Sequence, residues 1–427
     1  MIYLRSFLSI VVLLNLLVFS AAASTVQSMT TATLRVQKLR WNGPAIKISV
    51  SRSMFAGATN IKYGSDVDGA IRRSLDAWQS VADIEFVEEI SDIQNVSPAG
   101  VAGDGASLIT IAPTQENVLM FGKNDESTAA KTRVFYNRRG AITEADIVLS
   151  PFQQFSTDGT YGTFDLETTL KHEVGHLLGL RHSTVIGSIM YDVSARNGAF
   201  GDSIYAAANP ITADDISAIR DLYGYSKDED CCGTLSGRLA GVGRNARGVD
   251  VWFSEVETGA VVGHTTASKD GSFSIGGLKT GSYSISGREN SPSDYSTFDL
   301  GSTIVTNGDN LPLSRRLVHR PRDFAVQLIG KNGILSDSPL RLQRGNSYTV
   351  YLGGKNLSAG RVHVESNSPF LLFDQNSLSD QPYDGGISGL SFVVSVADES
   401  PNGNYNICVV SSGGVRDCFV GGISIVD

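Results

Sequence analysis

"KHEVGHLLGLRH", residues 171–182, decides how this chain folds around its chemistry. The 427 residues contain six histidines, and three of them, His172, His176 and His182, fall inside this stretch. Thr163 or Asp165 can cap a helix running to about residue 178, with Leu166, Leu170, Val174, Leu177 and Leu178 on its core side. His172 and His176 then stand one turn apart on a single face, the geometry in which two imidazole nitrogens grip one zinc ion. Glu173 sits one residue on, rotated by about 100°, and leans toward the open coordination position without being a ligand. Gly179 is free to turn left-handed and stop the helix. The chain then swings back to bring His182 as the third ligand, and the fourth position is left to water. A chance match of this trio together with Glu173 and Gly179 is on the order of one in 10⁵. His264, His319 and His363 have no comparable setting and read as ordinary core histidines.

On either side, the segment from about residue 38 to 226 alternates strand-like and helix-like stretches. Residues 46–51 ("IKISVS") alternate with period two. Ser65 reads as the N-cap of a helix over 66–81, whose Val67, Ile71, Leu75 and Trp78 recur at helical spacing. Short strands are expected at 84–87, 108–111, 132–137 ("TRVFYN") and 145–149. A last helix starts at Thr212, with Asp214 and Asp215 in the first turn, where the helix dipole favours negative charge. Ile216, Ile219 and Leu222 form its apolar stripe and Gly224 ends it.

Past Tyr225 the texture changes. "SKDED" (226–230) reads as an exposed, charged linker and a separable boundary. Residues 227–308 and 309–427 carry strand-like runs divided by Gly and Asp turns, such as Asp270-Gly271, and read as two all-β sandwiches. No exact internal repeat is visible. Cys408 and Cys418 flank a hairpin turn centred on Gly413, which sets them opposite each other for a cross-strand disulfide. Cys231 and Cys232 are chain neighbours, and four cysteines allow three pairings.

Arg5, the apolar run 7–20 and Ala21-Ala22-Ala23 read as an export signal over 1–23, followed by a short segment over 24–37. Disulfide-permissive export and a secreted, extracellular location are the expectation, with no membrane association after signal cleavage. A net charge of −9 without a basic run argues against nucleic acid as a partner.

"HEVGHLLGLRH" matches the metzincin zinc-peptidase signature in full. Met190 follows His182 by eight residues, where metzincins carry their Met-turn, and "MY" with Ser183 resembles the matrixin branch, the family of the matrix metalloproteinases. "AIRRSLDAWQSVADIEF" (70–86) and "ITADDISAIRDLYG" (211–224) are similar to that family's first helix with second strand and to its closing helix. The resemblance covers under half of the chain. It implies an α+β metzincin catalytic domain, a twisted mixed sheet with three helices, ahead of the two β-sandwich domains. It implies zinc on His172, His176 and His182, with Glu173 as general base. A protein or peptide substrate would lie along the edge strand formed by Thr132, Arg133, Val134, Phe135 and Tyr136, with Thr168 and Tyr191 helping to line the pocket. The stretch 237–287 is similar to the transthyretin-like regulatory module of secreted enzymes, and the last domain resembles an immunoglobulin-like one. Spacing is the favoured role for both, with docking to extracellular matrix or a cell surface as the other.

The departures from the family are specific. No cysteine precedes residue 231 to serve as a pro-segment switch, and no histidine precedes His172 to hold a structural zinc. Asp192 stands where the family has proline. Asp158 and Asp202 are candidate calcium ligands, with solvated loop carboxylates the favoured reading. The expected function is therefore a secreted zinc endopeptidase. The alternative is a non-catalytic secreted adhesion or binding protein that keeps a zinc-binding metzincin fold. An intact Glu173 favours the enzyme.

Overall fold

The computed structural model describes residues 26–30, 36–43, 45–55, 58–100, 102–122, 128–193, 196–198, 210–243, 248–290 and 295–426. The expected export signal (1–23) and Asp202 lie outside these residues.

A five-stranded sheet carries the first half of the chain. Its strands are β1 (Ala45–Ser51), β2 (Glu85–Ser91), β3 (Leu108–Thr110), β4 (Ala130–Tyr136) and β5 (Ile142–Leu149), in the order β2-β1-β3-β5-β4. All neighbours run parallel except β4, which pairs antiparallel with β5 and forms the sheet edge. Crossovers between parallel strands need long connections, and helix α1 (Val67–Gln79) supplies the one from β1 to β2. Asp66, not the expected Ser65, caps it: its carboxylate accepts from the Gly69 N–H at 3.0 Å, which no side chain one residue earlier does here. Ala70, Ile71, Ser74, Leu75 and Trp78 make the buried stripe.

Four α-helices occur among the described residues of this unit, against three expected. The extra one, α2 (Gln115–Leu119), has five residues, too few to show a period, and Thr114 caps it. Helix α3 (Leu166–Leu177) carries the histidines, and α4 (Ala213–Tyr223) closes the unit at Gly224. Trp78 Nε1–H donates to the Lys171 carbonyl at 2.9 Å and so ties α1 to α3 through the buried core. The stripe of α4 differs from expectation at Ile216, which is only half buried, while Asp214, Asp215 and Ser217 are buried. These polar residues face neighbours described below.

The second half is β-structure. Strands β6 (Cys231–Ala240), β9 (Ser272–Lys279) and β12 (Asn310–Arg316) form one sheet. Strands β7 (Val249–Glu255), β8 (Val261–Ala267), β10 (Gly281–Glu289) and β11 (Phe298–Val305) form a second. Leu235, Ile275 and Leu313 of the first share a core with Val251, Phe253 and Ile285 of the second. Further on, β13 (Ala325–Lys331), β14 (Ile334–Ser336), β16 (Ser347–Lys355), β18 (Leu371–Pro382) and β19 (Ser388–Val396) make a five-stranded sheet. It packs on β15 (Leu340–Gln343), β17 (Val362–Glu365), β20 (Gly403–Ser411) and β21 (Arg416–Val426). Cys408 and Cys418 face each other in the β20–β21 register and are bonded, and Cys231 is paired with its neighbour Cys232.

The "SKDED" stretch is less free than its composition suggests. Asp228 takes Arg220 at 3.1 Å and Lys279 at 2.9 Å, and the Ser226 N–H donates to Asp83 at 2.8 Å. Helix α4 lies against β9, where Gly277 at φ +70° lets the backbone pass so close that a Cβ would overlap the Ser217 carbonyl. No helix among the described residues is long and apolar enough to cross a membrane.

Candidate metal centre and cleft

Asp165 caps α3 by accepting from the Thr168 N–H at 2.8 Å. The helix stops at Leu178, and Gly179 adopts φ +101°, where a Cβ would overlap the Leu39 carbonyl oxygen. A side chain is thus excluded twice, by conformation and by space. The turn reverses the chain and brings His182 beside His172 and His176, with ring centroids 4.7 to 5.2 Å apart.

The rings are oriented by main-chain carbonyls. His172 Nδ1 lies 2.7 Å from the Ile189 oxygen and His176 Nδ1 lies 2.9 Å from the Leu180 oxygen. A carbonyl only accepts, so both Nδ1 atoms carry the proton and both Nε2 atoms present a lone pair. Those two Nε2 atoms are 3.1 Å apart, and one nitrogen from each of the three rings falls within a 4.8 Å group. Lone pairs facing at that distance without a proton between them are satisfied by a cation. Three neutral imidazoles, two of them backed by carbonyl partners, suit zinc. Burial pulls the pKa of His172 and His176 down to about 4 and lowers that of His182 as well. The set is therefore uncharged near neutral pH and ready to bind a metal.

Glu173 is buried beside them. Burial raises its pKa, while His176, the Thr132 hydroxyl and Lys131 pull the other way. Thr132 donates to Glu173 Oε2 at 2.6 Å from the edge strand β4, so strand and helix meet at the carboxylate. A cleft of about 720 Å³ opens here, lined by Ala130 to Arg133 of β4, by Thr169, His172, Glu173 and His176 of α3, and by His182, Asp192 and Val193.

Met190 is buried and packs against α3. A Cβ on Gly175 would overlap its sulfur, so a glycine on α3 makes room for the Met190 side chain. Asp215 holds that turn. Its carboxylate accepts from the Ile189 N–H at 2.9 Å, the Met190 N–H at 3.1 Å, the Ser188 hydroxyl at 2.5 Å and the Thr212 N–H at 3.0 Å. Sequence reasoning treated Asp215 only as a charge suited to a helix N-terminus. The Thr212-x-x-Asp215 capping box was legible, but its second set of partners, some 25 residues upstream, was not.

Several expected substrate-binding residues are placed elsewhere. Thr169, not Thr168, faces the cleft, because α3 turns about 100° per residue and position i−3 from His172 lands on the cleft wall. Tyr191 is half buried against the core of the last β-unit, where burial pushes its hydroxyl up to about 12. Of the edge strand, Thr132 and Arg133 line the cleft, Val134 packs on the core, Tyr136 is exposed, and Phe135 is outside the lining. Arg133 is engaged by the Ser97 carbonyl and by Glu116 at 2.8 Å. Asp158 is paired with Lys62, which holds its carboxyl below the usual range.

Residues 53–224 match the model of the matrixin family. Rabbit (Oryctolagus cuniculus) interstitial collagenase is 26% identical over 164 residues, 38% of this chain and 30% of that protein. Metalloendoproteinase 1-MMP of Arabidopsis thaliana is 24% identical over 193 residues, 44% of this chain and 45% of that protein. Karilysin of Tannerella forsythia is 24% identical over 195 residues, 44% and 34%. The chain thus spans less than half the length of these relatives. Among solved structures, the major pilin subunit BcpA of Bacillus cereus aligns with 44% of this chain and 66% of that chain at 12% identity and a TM-score of 0.16. A putative adhesin from Bacteroides ovatus aligns with 48% and 94% at 10% identity and a TM-score of 0.19. Likeness of that size carries no argument about this protein.

Proposed function

We propose that this protein is an exported zinc endopeptidase that cleaves extended polypeptide substrates in the cleft between β4 and α3. The observation that carries the reading is the convergence of three neutral imidazoles on one point beside a buried carboxylate, at the floor of a cleft bounded by a sheet edge. A matrixin-type domain over 53–224 agrees with it.

His172, His176 and His182 would hold zinc. The metal, when bound, supplies Lewis acidity toward a water and toward the substrate carbonyl. The remaining work falls to the chain. The outer edge of β4 is unpaired among the described residues, so its N–H and C=O groups can take an extended peptide as a further strand. Thr132 anchors the Glu173 carboxylate, which accepts the proton of the attacking water and returns it to the departing amine. Burial raises the proton affinity of Glu173, which fits a group that must both take and release a proton. Export rests on the apolar N-terminal run and the cysteine pair on β20 and β21.

Purified full-length protein would be tested against a peptide library, with metal content measured in parallel. Glu173→Gln is expected to keep the metal and lose cleavage by roughly 10²- to 10⁴-fold. His176→Ala is expected to lose both. Near-normal turnover in Glu173→Gln would remove that residue from the mechanism, and loss of metal there would make it a ligand.

A further inference from the structure

The chain between His182 and Met190 is gripped by parts of the molecule far away in sequence. Ser183, which directly follows the third candidate ligand, donates its N–H to the Met190 carbonyl at 2.7 Å and its hydroxyl to Asp214 at 2.7 Å. Asp214 lies on α4, buried, and accepts a second bond at 2.8 Å from Nδ1–H of His264. His264 belongs to β8 of the first β-unit and is itself 3% exposed. Its other nitrogen accepts from the Thr184 N–H at 3.3 Å. One ring therefore bridges a carboxylate on α4 and a main-chain donor in the loop, which an apolar core residue cannot do.

Both β-units hold the next residues. The Ile186 N–H donates to the Val420 carbonyl at 2.9 Å, and Val185 is buried among Trp252, Val261, Cys408, Cys418 and Val420. Gly421 at φ +68° lets that strand approach, since a Cβ there would come within 2.5 Å of Val185.

We infer that His264 is a positioning residue for the metal centre: through Asp214 and Ser183 it fixes the loop that delivers His182 and Met190, so the β-units complete the site rather than merely trail it. The effect on turnover rests on the peptidase reading; the effect on the loop does not. Without His264, Asp214 keeps Ser183 as its side-chain donor but stays buried, and Thr184 loses its acceptor. A buried carboxylate stripped of one partner drives local rearrangement, and the N–H of the exposed Thr184 is released to water. The loop is the part that can move.

The test uses the full chain and compares His264→Ala, His264→Phe, His264→Asn and Val261→Ala. Val261 is buried at the same junction but makes no polar link, so its truncation reports simple loss of packing. Three quantities are read: amide hydrogen exchange over residues 183–191 in metal-free protein, release of zinc to a chelator, and kcat separately from KM on a peptide. His264→Ala is expected to speed exchange over 183–191 and to release zinc about 10-fold faster, the low end of what losing an outer-shell partner costs. It should lower kcat more than it raises KM. His264→Phe, which keeps the volume, should behave alike and covers a failure of the alanine variant to fold. His264→Asn restores an N–H toward Asp214 and should recover most of the loss. Val261→Ala, which removes packing from Val185 but no polar link, should lower the melting temperature and change exchange over 183–191 and zinc release less than His264→Phe does. Unchanged exchange in His264→Phe, or an equal effect of Val261→Ala, would overturn the inference. If the wild-type chain cleaves nothing, or takes up no zinc, the peptidase reading fails while the exchange comparison still judges the role of His264.

Discussion

Replacing Asp215 by alanine is the sharpest probe of how the metal centre is built. The carboxylate is 1% exposed and serves five groups: the N–H of Ile189, Met190 and Thr212, and the hydroxyls of Ser188 and Thr212. Alanine leaves Ile189 N–H without an acceptor in a buried place, and leaves Met190 N–H with only the Ser188 hydroxyl at 3.0 Å. Each stranded buried donor costs about 1–3 kcal/mol, and hydrogen bonds to a charged group are worth about 1.5–3 kcal/mol each. Against this, removing the carboxylate relieves its repulsion with Asp214 and its own burial, which together raise its pKa. The net expectation is a loss of about 3–5 kcal/mol, a large part of a typical stability of about 5–15 kcal/mol. For a unit of this size, that loss lowers the melting temperature by about 10–15 °C. Asp215→Asn keeps one acceptor oxygen but turns an NH₂ toward another donor, and should fall between wild type and alanine. Scanning calorimetry, with zinc release measured at a temperature where all three proteins are folded, separates the outcomes. A loss below about 1 kcal/mol with unchanged zinc release would refute the reasoning. Packing of Met190 on Gly175 would then hold the turn by itself.

Gly175→Ala should destabilise the protein although it favours the helix. The gain in helix propensity is about 0.5–1 kcal/mol, but the new methyl overlaps the Met190 sulfur and meets Trp78 at 3.0 Å, and overpacking of that kind costs about 1–3 kcal/mol; urea unfolding gives the balance. The pH dependence of metal-free protein should show two opposed contributions. His172 and His176 titrate at about 4 in the folded state, below the ordinary histidine value, so their contribution is present above about pH 6.5 and is lost as pH falls through 4. Asp146 is held up at about 7 by burial against two main-chain bonds from Ser97 and Leu108, so its contribution is present below the ordinary carboxylate range and is lost as pH rises through 7. Urea midpoints from pH 4 to 8 measure both, and Asp146→Asn should flatten only the alkaline side. In Asp146→Asn, where the opposing contribution is gone, a midpoint that does not fall on acidification would contradict the buried neutral state of the two histidines.

What the sequence by itself determined is local. The four-residue spacing of His172 and His176, the glycine stop at Gly179 and the return to His182 lie within one helix and one turn, where chain geometry leaves few choices. The same holds for the hairpin that opposes Cys408 and Cys418, since a turn fixes the register of the strands it joins. Period-two and period-3.6 patterns placed β1, α1 and α4, but they could not see α2, which is shorter than two helical turns. Tertiary structure decided everything that depends on which faces meet. Asp215 read as a helix-dipole acid and became the anchor of the Met190 turn, because its partners arrive from another segment. Thr169 displaced Thr168 on the cleft wall, and Tyr191 turned to the last β-unit, because a one-residue rotation is settled by packing rather than by spacing. His264 read as an ordinary core histidine, and burial was indeed its state. Its partners on α4 and beyond His182 were beyond reach, since a hydrogen bond between residues 50 and 80 positions apart leaves no period in the chain for a reader to find.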